Sequence, residues 1–330
     1  MKSKVQNRST KNDPVLEALP LACAEEGAAV AFMEKQRWGD HPACPRCGDM
    51  AVYQMKNSVT GERQENYRWR CKGCNKQFTV RIGTVFEDSR IEMRHWCYAF
   101  WRAATSKKGV SALEIHRQTG LSYKSSLFML NRIRFAMNGS MPGPLSGKVE
   151  ADETYVGGKP RYKLVGKEAR EEWWAKKPAV MAIVERKGRV RTGVVADVTA
   201  KTLGDALREN VDPAKSTLYT DEMLSYRPVG KQFSGGHFRT KHSAGEYARG
   251  DAHSNTVEGF FLIVKRGLNG IYHAVSKEHL HRYLCEFEFR YNHRYMEDGE
   301  RTLAAIQASE GKRLTYEESK ASEEAYGADA

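Results

Sequence analysis

Nowhere in its 330 residues does the chain hold an apolar run long enough to cross a bilayer. A spanning helix needs about 18 consecutive apolar residues, and the longest run here, near Ala179 to Val184, falls far short of it. A phosphate-cradling Gly-x-x-x-x-Gly-Lys loop is absent, and so is any internal repeat. These absences exclude nucleotide-driven chemistry of the P-loop kind and a solenoid. A leader is not expected either. Val15 to Ala24 ends in Ala-Cys-Ala behind a basic N-terminus, but Glu17 and Pro20 interrupt its apolar core, so a cytoplasmic protein is expected. Proline is sparse, at 10 residues, and Pro142 and Pro144 fall beside Gly139, Gly143 and Gly147. That cluster marks a linker over 139–147.

Cysteine is present without the dispersed pattern of a disulfide framework. Of the 7 cysteines, Cys23, Cys97 and Cys285 are solitary, and four form Cys44-x-x-Cys47 and Cys71-x-x-Cys74. Two such loops set four thiolates at the corners of a tetrahedron, the geometry of one structural Zn²⁺. Charge is also uneven. The net formal charge is +12; residues 1–150 hold 24 Lys and Arg against 14 Asp and Glu, whereas residues 151–330 hold 29 against 27. A basic half suits either a polyanion partner, whose counterions it would displace, or a well-solvated surface.

The 330 residues allow two or three folding units. After a flexible N-terminus over 1–21, Ala22 to Gln36 reads as a short helix leading into a ribbon. Strand-like runs Ala51 to Met55 and Asn66 to Arg70 flank a turn at Thr60-Gly61, giving a zinc-ribbon domain over 22–86. Tyr67-Arg68-Trp69-Arg70 suits phosphate contact by Arg68 and Arg70 with aromatic stacking, or else two rings in a small core. Glu92 to Thr105 carries an apolar stripe. Ser111 with Glu114 starts a second helix, Gly120 ends it, and Ser122 caps a third. A trihelical helix-turn-helix over 87–138 is the expectation, with Tyr123, Lys124, Ser125 and Ser126 entering a major groove and Arg132 and Arg134 on the backbone. The alternative is a plain packing scaffold.

From Lys148 the pattern changes. Val149 to Val156, Ala179 to Glu185, Val190 to Val198 and Thr217 to Thr220 read as strands, and Thr202 to Glu209 and Ser254 to Leu268 as helices: an α/β domain on a mixed sheet, over 148–300. Arg161 to Lys177 reads as an inserted helix. Residues 301–330 form a C-terminal extension whose polar, acidic end is expected to be disordered.

Two carboxylates stand where strand propensity disfavours them: Asp152 inside the first strand and Asp221 at the end of the Leu218-Tyr219 strand. Metal binding accounts for both; so would a solvent-facing strand residue and a helix N-cap. Glu258 lies on a helix with Lys265 seven residues on, hence on the same face, a geometry for metal and phosphate. Asn255 with Glu258 also matches a capping box.

Asp152-Glu153-Thr154-Tyr155-Val156-Gly157-Gly158-Lys159, Tyr219-Thr220-Asp221 and His253-Ser254-Asn255-Thr256-Val257-Glu258-Gly259-Phe260-Phe261 together resemble the DDE transposases of bacterial insertion sequences that carry an N-terminal zinc ribbon. Cys44-Pro45-Arg46-Cys47-Gly48, Arg81 to Phe86 and Tyr283 to Arg294 extend the likeness from about Ala22 to Tyr316. The resemblance implies an RNase H-like fold, Asp152 and Asp221 on adjacent strands, Glu258 approaching from a helix, and Lys265 on DNA. Some members use Asn as the third residue, which keeps Asn255 as an alternative ligand. Three carboxylates of this kind hold two Mg²⁺ or Mn²⁺ ions, whose hard-oxygen preference they match. Cleavage at the terminal inverted repeats and transfer of 3′-hydroxyl ends to target DNA would follow, with no nucleotide cofactor, no membrane partner and a homo-oligomeric synaptic complex. Two other readings remain: a zinc-ribbon, helix-turn-helix regulator without catalysis, and an RNase H-like nuclease that cuts without joining.

Overall fold

The computed structural model describes residues 13–139, 141–157, 166–168, 173, 177–240, 251–273 and 275–314, and the expected helix at 161–177 and disordered end lie largely outside them. Its contacts divide the chain into two compact units, one holding the residues up to Ser140 with those from His293 to Ser319, the other centred on Met141–Asn292. No helix among the described residues is long and apolar enough to cross a membrane.

The first unit opens with two helices where the sequence suggested one, α1 (Pro14–Ala24) and α2 (Glu26–Trp38). Asp13 starts α1: its side chain accepts from the amides of Val15 and Leu16, and Pro14 supplies the preset first-turn φ. Glu25, at φ −120° and ψ 131°, separates the two helices. Three short antiparallel strands follow, β1 (Val52–Gln54), β2 (Trp69–Cys71) and β3 (Gln77–Phe78), with Val52 opposite Cys71 and Trp69 opposite Phe78. Trp69 belongs to the core. It meets Trp38 edge-on at 5.9 Å, and its indole N–H donates to Glu34 Oε1 at 2.7 Å, which satisfies the buried donor.

Helices α3 (Met93–Thr105), α4 (Ala112–Thr119) and α5 (Tyr123–Met137) match the expected three. Ser111 Oγ accepts from the Glu114 amide and Ser122 Oγ from the Ser125 amide, while Gly120 closes α4 at φ 74°. The Ser111 cap is not reciprocal, because the Glu114 carboxylate instead pairs with Arg102 at 2.6 Å. The last described helix, here the Asp298–Gln307 segment, also belongs to this unit. Gly299 N–H donates to Asp13 Oδ2 at 3.1 Å, Arg37 grips the Glu310 carboxylate at 2.6 and 2.7 Å, and Thr84 bridges Glu310. The boundary expected at residue 300 falls at 292, since these polar contacts draw the C-terminal segment into the first unit.

The second unit is built on a five-stranded sheet of β4 (Leu145–Tyr155), β5 (Ala179–Glu185), β6 (Val190–Val195), β7 (Val211–Thr220) and β8 (His237–Arg239), in the spatial order β6-β5-β4-β7-β8. β4 runs antiparallel to β5 and parallel to β7. It begins inside the expected linker, because Gly147, at φ 75°, is absorbed as an irregularity of register instead of ending the strand. Side-chain alternation divides the sheet. Val149, Ala151, Met181, Ile183 and Leu218 pack with α6 (Ala200–Asn210) and Tyr226 on one face. Val180, Ala182 and Val184 pack on the other with α7 (Asn255–Gly267) and α8 (Lys277–Asn292).

Candidate metal centre and active site

The four cysteines converge. Cys44 Sγ lies 3.7 Å from Cys74 Sγ and Cys47 Sγ 3.6 Å from Cys71 Sγ, and all four lie within 4.8 Å of one another. A tetrahedron with Zn–S bonds of about 2.3 Å sets neighbouring sulfurs about 3.8 Å apart, so the set fits Zn²⁺ without rearrangement. Each knuckle turns through a left-handed residue just after its second cysteine, Gly48 at φ 77° and Asn75 at φ 57°, the two residue types that tolerate it best. The thiols titrate against one another: Cys74 is drawn down to about 7, first by the Lys76 backbone N–H, while Cys47, despite the Asp49 backbone hydrogen bond, is pushed up to about 12 by burial and its neighbours. A thiolate is the form a metal captures.

In the second unit, Glu150 on β4 pairs with Tyr219 on parallel β7, the last pair of that ladder; Asp152 continues β4 two residues on, on the same face as Glu150, whereas Asp221 is the first residue after β7 ends at Thr220. Asp152 is the antiparallel partner of Ala182, so that face is the one covered by α7. Both are half-buried. Asp221 Oδ1 accepts from the Met223 amide at 3.0 Å as the chain leaves the strand, a turn contact that uses one oxygen.

Glu258 stands in the first turns of α7 and Lys265 two turns on, exposed. The capping-box expectation for Asn255 and Glu258 is corrected. The N-cap is Ser254, Asn255 is the first helical residue and exposed, and Glu258 Oε1 accepts from Ser254 Oγ at 2.6 Å. The physical reason lies in the sheet: Glu150 Oε2 accepts from the amides of Thr256 and Val257 at 2.8 and 3.0 Å, occupying the first-turn donors that a local cap would take.

Among the described residues only the four cysteines bring three or more ligand atoms within 4.8 Å of one another. Asp152, Asp221 and Glu258 form no such cluster. Glu153, beside Asp152 but on the other face, is pushed up to about 7, first by burial and then by the charges of Asp152 and Asp221, against the hydrogen bond from Tyr226. Such an excess of hard, negative oxygen fits a divalent cation.

Sequence reasoning missed Glu150, Glu153, Tyr226 and Arg186. The available signal was the period of two along β4, which puts Glu150 on the same buried face as Asp152.

The DNA-facing expectations divide. Tyr123, Lys124, Arg68 and Arg70 are exposed and Ser125 is half-buried. Ser126 is buried, its hydroxyl donating to Ser122 O at 3.1 Å, so it is corrected from a base reader to an internal contact of α5. Arg132 and Arg134 are corrected too. They are only 6% and 1% exposed; Arg132 donates to the carbonyls of Val85 and Glu87 at 2.9 and 2.8 Å, and Arg134 to Asn131 Oδ1 at 3.0 Å. Arg132 ties α5 to the Val85–Glu87 segment, and both guanidiniums are too buried to serve as phosphate contacts.

An open cleft of about 490 Å³ lies at the β8 edge, lined by Arg227, Lys231, His237 and Arg239 among others, with no carboxylate among the described residues of its wall. Arg239 is the β-partner of Thr220, next to Asp221. Thr220 Oγ1 donates to Asp221 O at 2.9 Å, so it accepts from His237 Nε2 at 2.9 Å, which puts a proton on Nε2. Burial first, then Arg239, lowers the His237 pKa from 6.5 to about 4. The unfolded chain therefore binds the proton first as pH falls. The stability His237 contributes is complete above 6.5 and lost progressively toward 4. His237→Gln, which keeps the donor, is expected to flatten that acid limb of a Tm-against-pH curve; an unchanged limb would show that the imidazole does not set it.

Four converging thiols in one unit and a mixed five-stranded sheet with helices on both faces in the other define a zinc-ribbon protein that carries an α/β domain. Comparison narrows the class. Residues 24–77 match the transposase zinc-ribbon domain and residues 144–292 the ISXO2-like transposase domain. The chain is 27% identical over 281 residues, 80% of its length and 90% of the relative's, to a protein of the transposable element ISH50 in Halobacterium salinarum. A transposase-like protein of Haemophilus influenzae is 37% identical over 107 residues, 32% of this chain and 83% of that protein. The chain belongs to the insertion-sequence transposases with an N-terminal zinc ribbon.

Proposed function

We propose that the protein is a DNA transposase of the DDE kind: its first unit binds the terminal repeats of its insertion sequence, and its second, RNase H-like, cleaves the ends and transfers their 3′-hydroxyls to target DNA. The observation that carries this is the position of Asp152 on β4 and of Asp221 just past the end of the neighbouring parallel β7, with the helix bearing Glu258 packed on the Asp152 face of the sheet, within the segment matched to the transposase domain.

Asp152, Asp221 and Glu258 are the residues that would hold two Mg²⁺ or Mn²⁺ ions. Bound there, such ions supply an activated nucleophile and neutralise charge on the phosphorane and the leaving oxygen. Lys265 meets a DNA phosphate from the exposed side of α7. Arg227, Lys231 and Arg239 give the backbone a path past Asp221. In the first unit, α3 to α5 serve as a helix-turn-helix, with Tyr123, Lys124 and Ser125 on bases and Arg68 and Arg70 on phosphates. Bridging two ends calls for more than one protomer.

The test is incubation of the full chain with its element's end sequences and Mg²⁺. Nicked and joined products are expected. Binding with no nick in any metal would leave the regulator reading, and nicks without joined product the nuclease. In the same assay Lys124→Ala should alter sequence preference. Arg68→Ala should weaken all sequences alike and reduce the salt slope by about 1.

A further inference from the structure

Glu150 is fully buried, yet it is an acid in the middle of a sheet. Its carboxylate is saturated. Oε2 accepts from the Thr256 and Val257 amides at 2.8 and 3.0 Å, and Oε1 from Thr256 Oγ1 at 2.9 Å and Arg186 Nε at 2.6 Å. Arg186 in turn donates to the carbonyls of Asp251 and His253 at 2.9 and 2.8 Å, and its guanidinium lies 4.0 Å from the centre of the Tyr219 ring. The strand, the turn after β5 and the entry to α7 are thus joined through one carboxylate.

We infer that Glu150 is a positioning residue that sets Glu258 against Asp152. The inference rests on the proposal that those two acids are metal ligands. Glu150 stands two residues before Asp152 on the same strand and face, and the amide it holds at Val257 adjoins Glu258. Apolar contacts of Val257, Phe260, Phe261 and Val264 decide which side of α7 meets the sheet. They do not fix where along its axis the helix stops, because they are non-directional. Two amide bonds and a hydroxyl bond to one carboxylate do fix it, and the positive end of the helix favours the negative charge there. A buried ion pair is commonly no more stable than an apolar replacement of the same volume. What Glu150 and Arg186 provide over such a replacement is direction.

The test uses the full chain with Glu150→Gln and the milder Thr256→Val, which removes only the hydroxyl donor and keeps the helix amides. Amide hydrogen exchange at Thr256 to Glu258, Mg²⁺-dependent cleavage, half-saturating Mg²⁺ and affinity for end DNA are measured together. Faster exchange in that first turn is expected, with cleavage lowered about 10- to 100-fold and the Mg²⁺ requirement raised, at unchanged DNA affinity. Thr256→Val should move the same readouts less, and decides the matter should Glu150→Gln not fold. Faster first-turn exchange with cleavage and Mg²⁺ requirement as in the wild type would overturn the inference, leaving Glu150 as part of the fold alone. Unchanged exchange would overturn it as well. Failure of the underlying reading looks different: Asp152→Ala and Glu258→Ala would then cleave as the wild type does, whatever Glu150→Gln does to exchange.

Discussion

Asp152→Ala, Asp221→Ala and Glu258→Ala are each expected to cut Mg²⁺-dependent cleavage of the element's ends by about a thousandfold or more, the rate equivalent of about 4 kcal/mol of lost transition-state stabilisation. Binding to the ends should stay intact, because the residues proposed to read their sequence, Tyr123, Lys124 and Ser125, lie in the first unit. Glu258→Gln separates two roles. Gln keeps a hydrogen-bond acceptor for Ser254 Oγ but loses the charge, so a dead, folded variant assigns Glu258 to the metal rather than to its contact with Ser254. Asn255→Ala should remain active, since Asn255 is exposed at the first position of α7 and the first-turn amides are already held by Glu150. Robust cleavage by Asp152→Ala would remove the three-acid reading. An active Glu258→Gln beside an inactive, folded Asn255→Ala would move the third ligand to Asn255.

Removal of zinc is expected to have the largest effect on the fold. Structural Zn²⁺ in small domains binds with about 10–16 kcal/mol of apparent free energy, nearly all of it folding free energy. The ribbon's buried set beyond the thiols themselves is little more than Trp69 and Phe78 with Trp38 against them. So small a core cannot hold without the metal. Protein purified without added metal should carry one zinc per chain, and Cys71→Ser or a strong chelator should collapse the tryptophan signal of Trp38 and Trp69 while the β4 to β8 sheet persists. Near-zero zinc with four freely titrating thiols would end this reading.

Much of this was legible in the sequence because the signals were local. A Cys-x-x-Cys loop, a Ser N-cap and a glycine C-cap each act within four residues, and the zinc set and α3 to α5 fell where expected. Misplacements came from long-range contacts. Arg132 and Arg134 look like surface cations at the end of a basic helix, and only the carbonyls of Val85 and Glu87, 47 and 45 residues away from Arg132, reveal that side chain as internal. The capping assignment at Asn255 failed similarly, since the acid that holds those amides is 106 residues distant in Glu150. That β4 and β7, the strands leading to Asp152 and Asp221, lie side by side is a fact of strand pairing, and one-dimensional spacing does not encode it.

The return of Asp298–Gln307 to the first unit also bears on synthesis. Domains generally fold as they leave the ribosome, N-terminal part first. Here the order is interrupted, for when Met137 emerges the partners of Asp13, Arg37 and Thr84, at Gly299 and Glu310, are still to be translated. The whole of the second unit is made in between. A nascent chain therefore completes the sheet bearing Asp152 and Asp221 before it can close the unit bearing the ribbon, and chains released early, near Asn292, would carry the former without a finished latter.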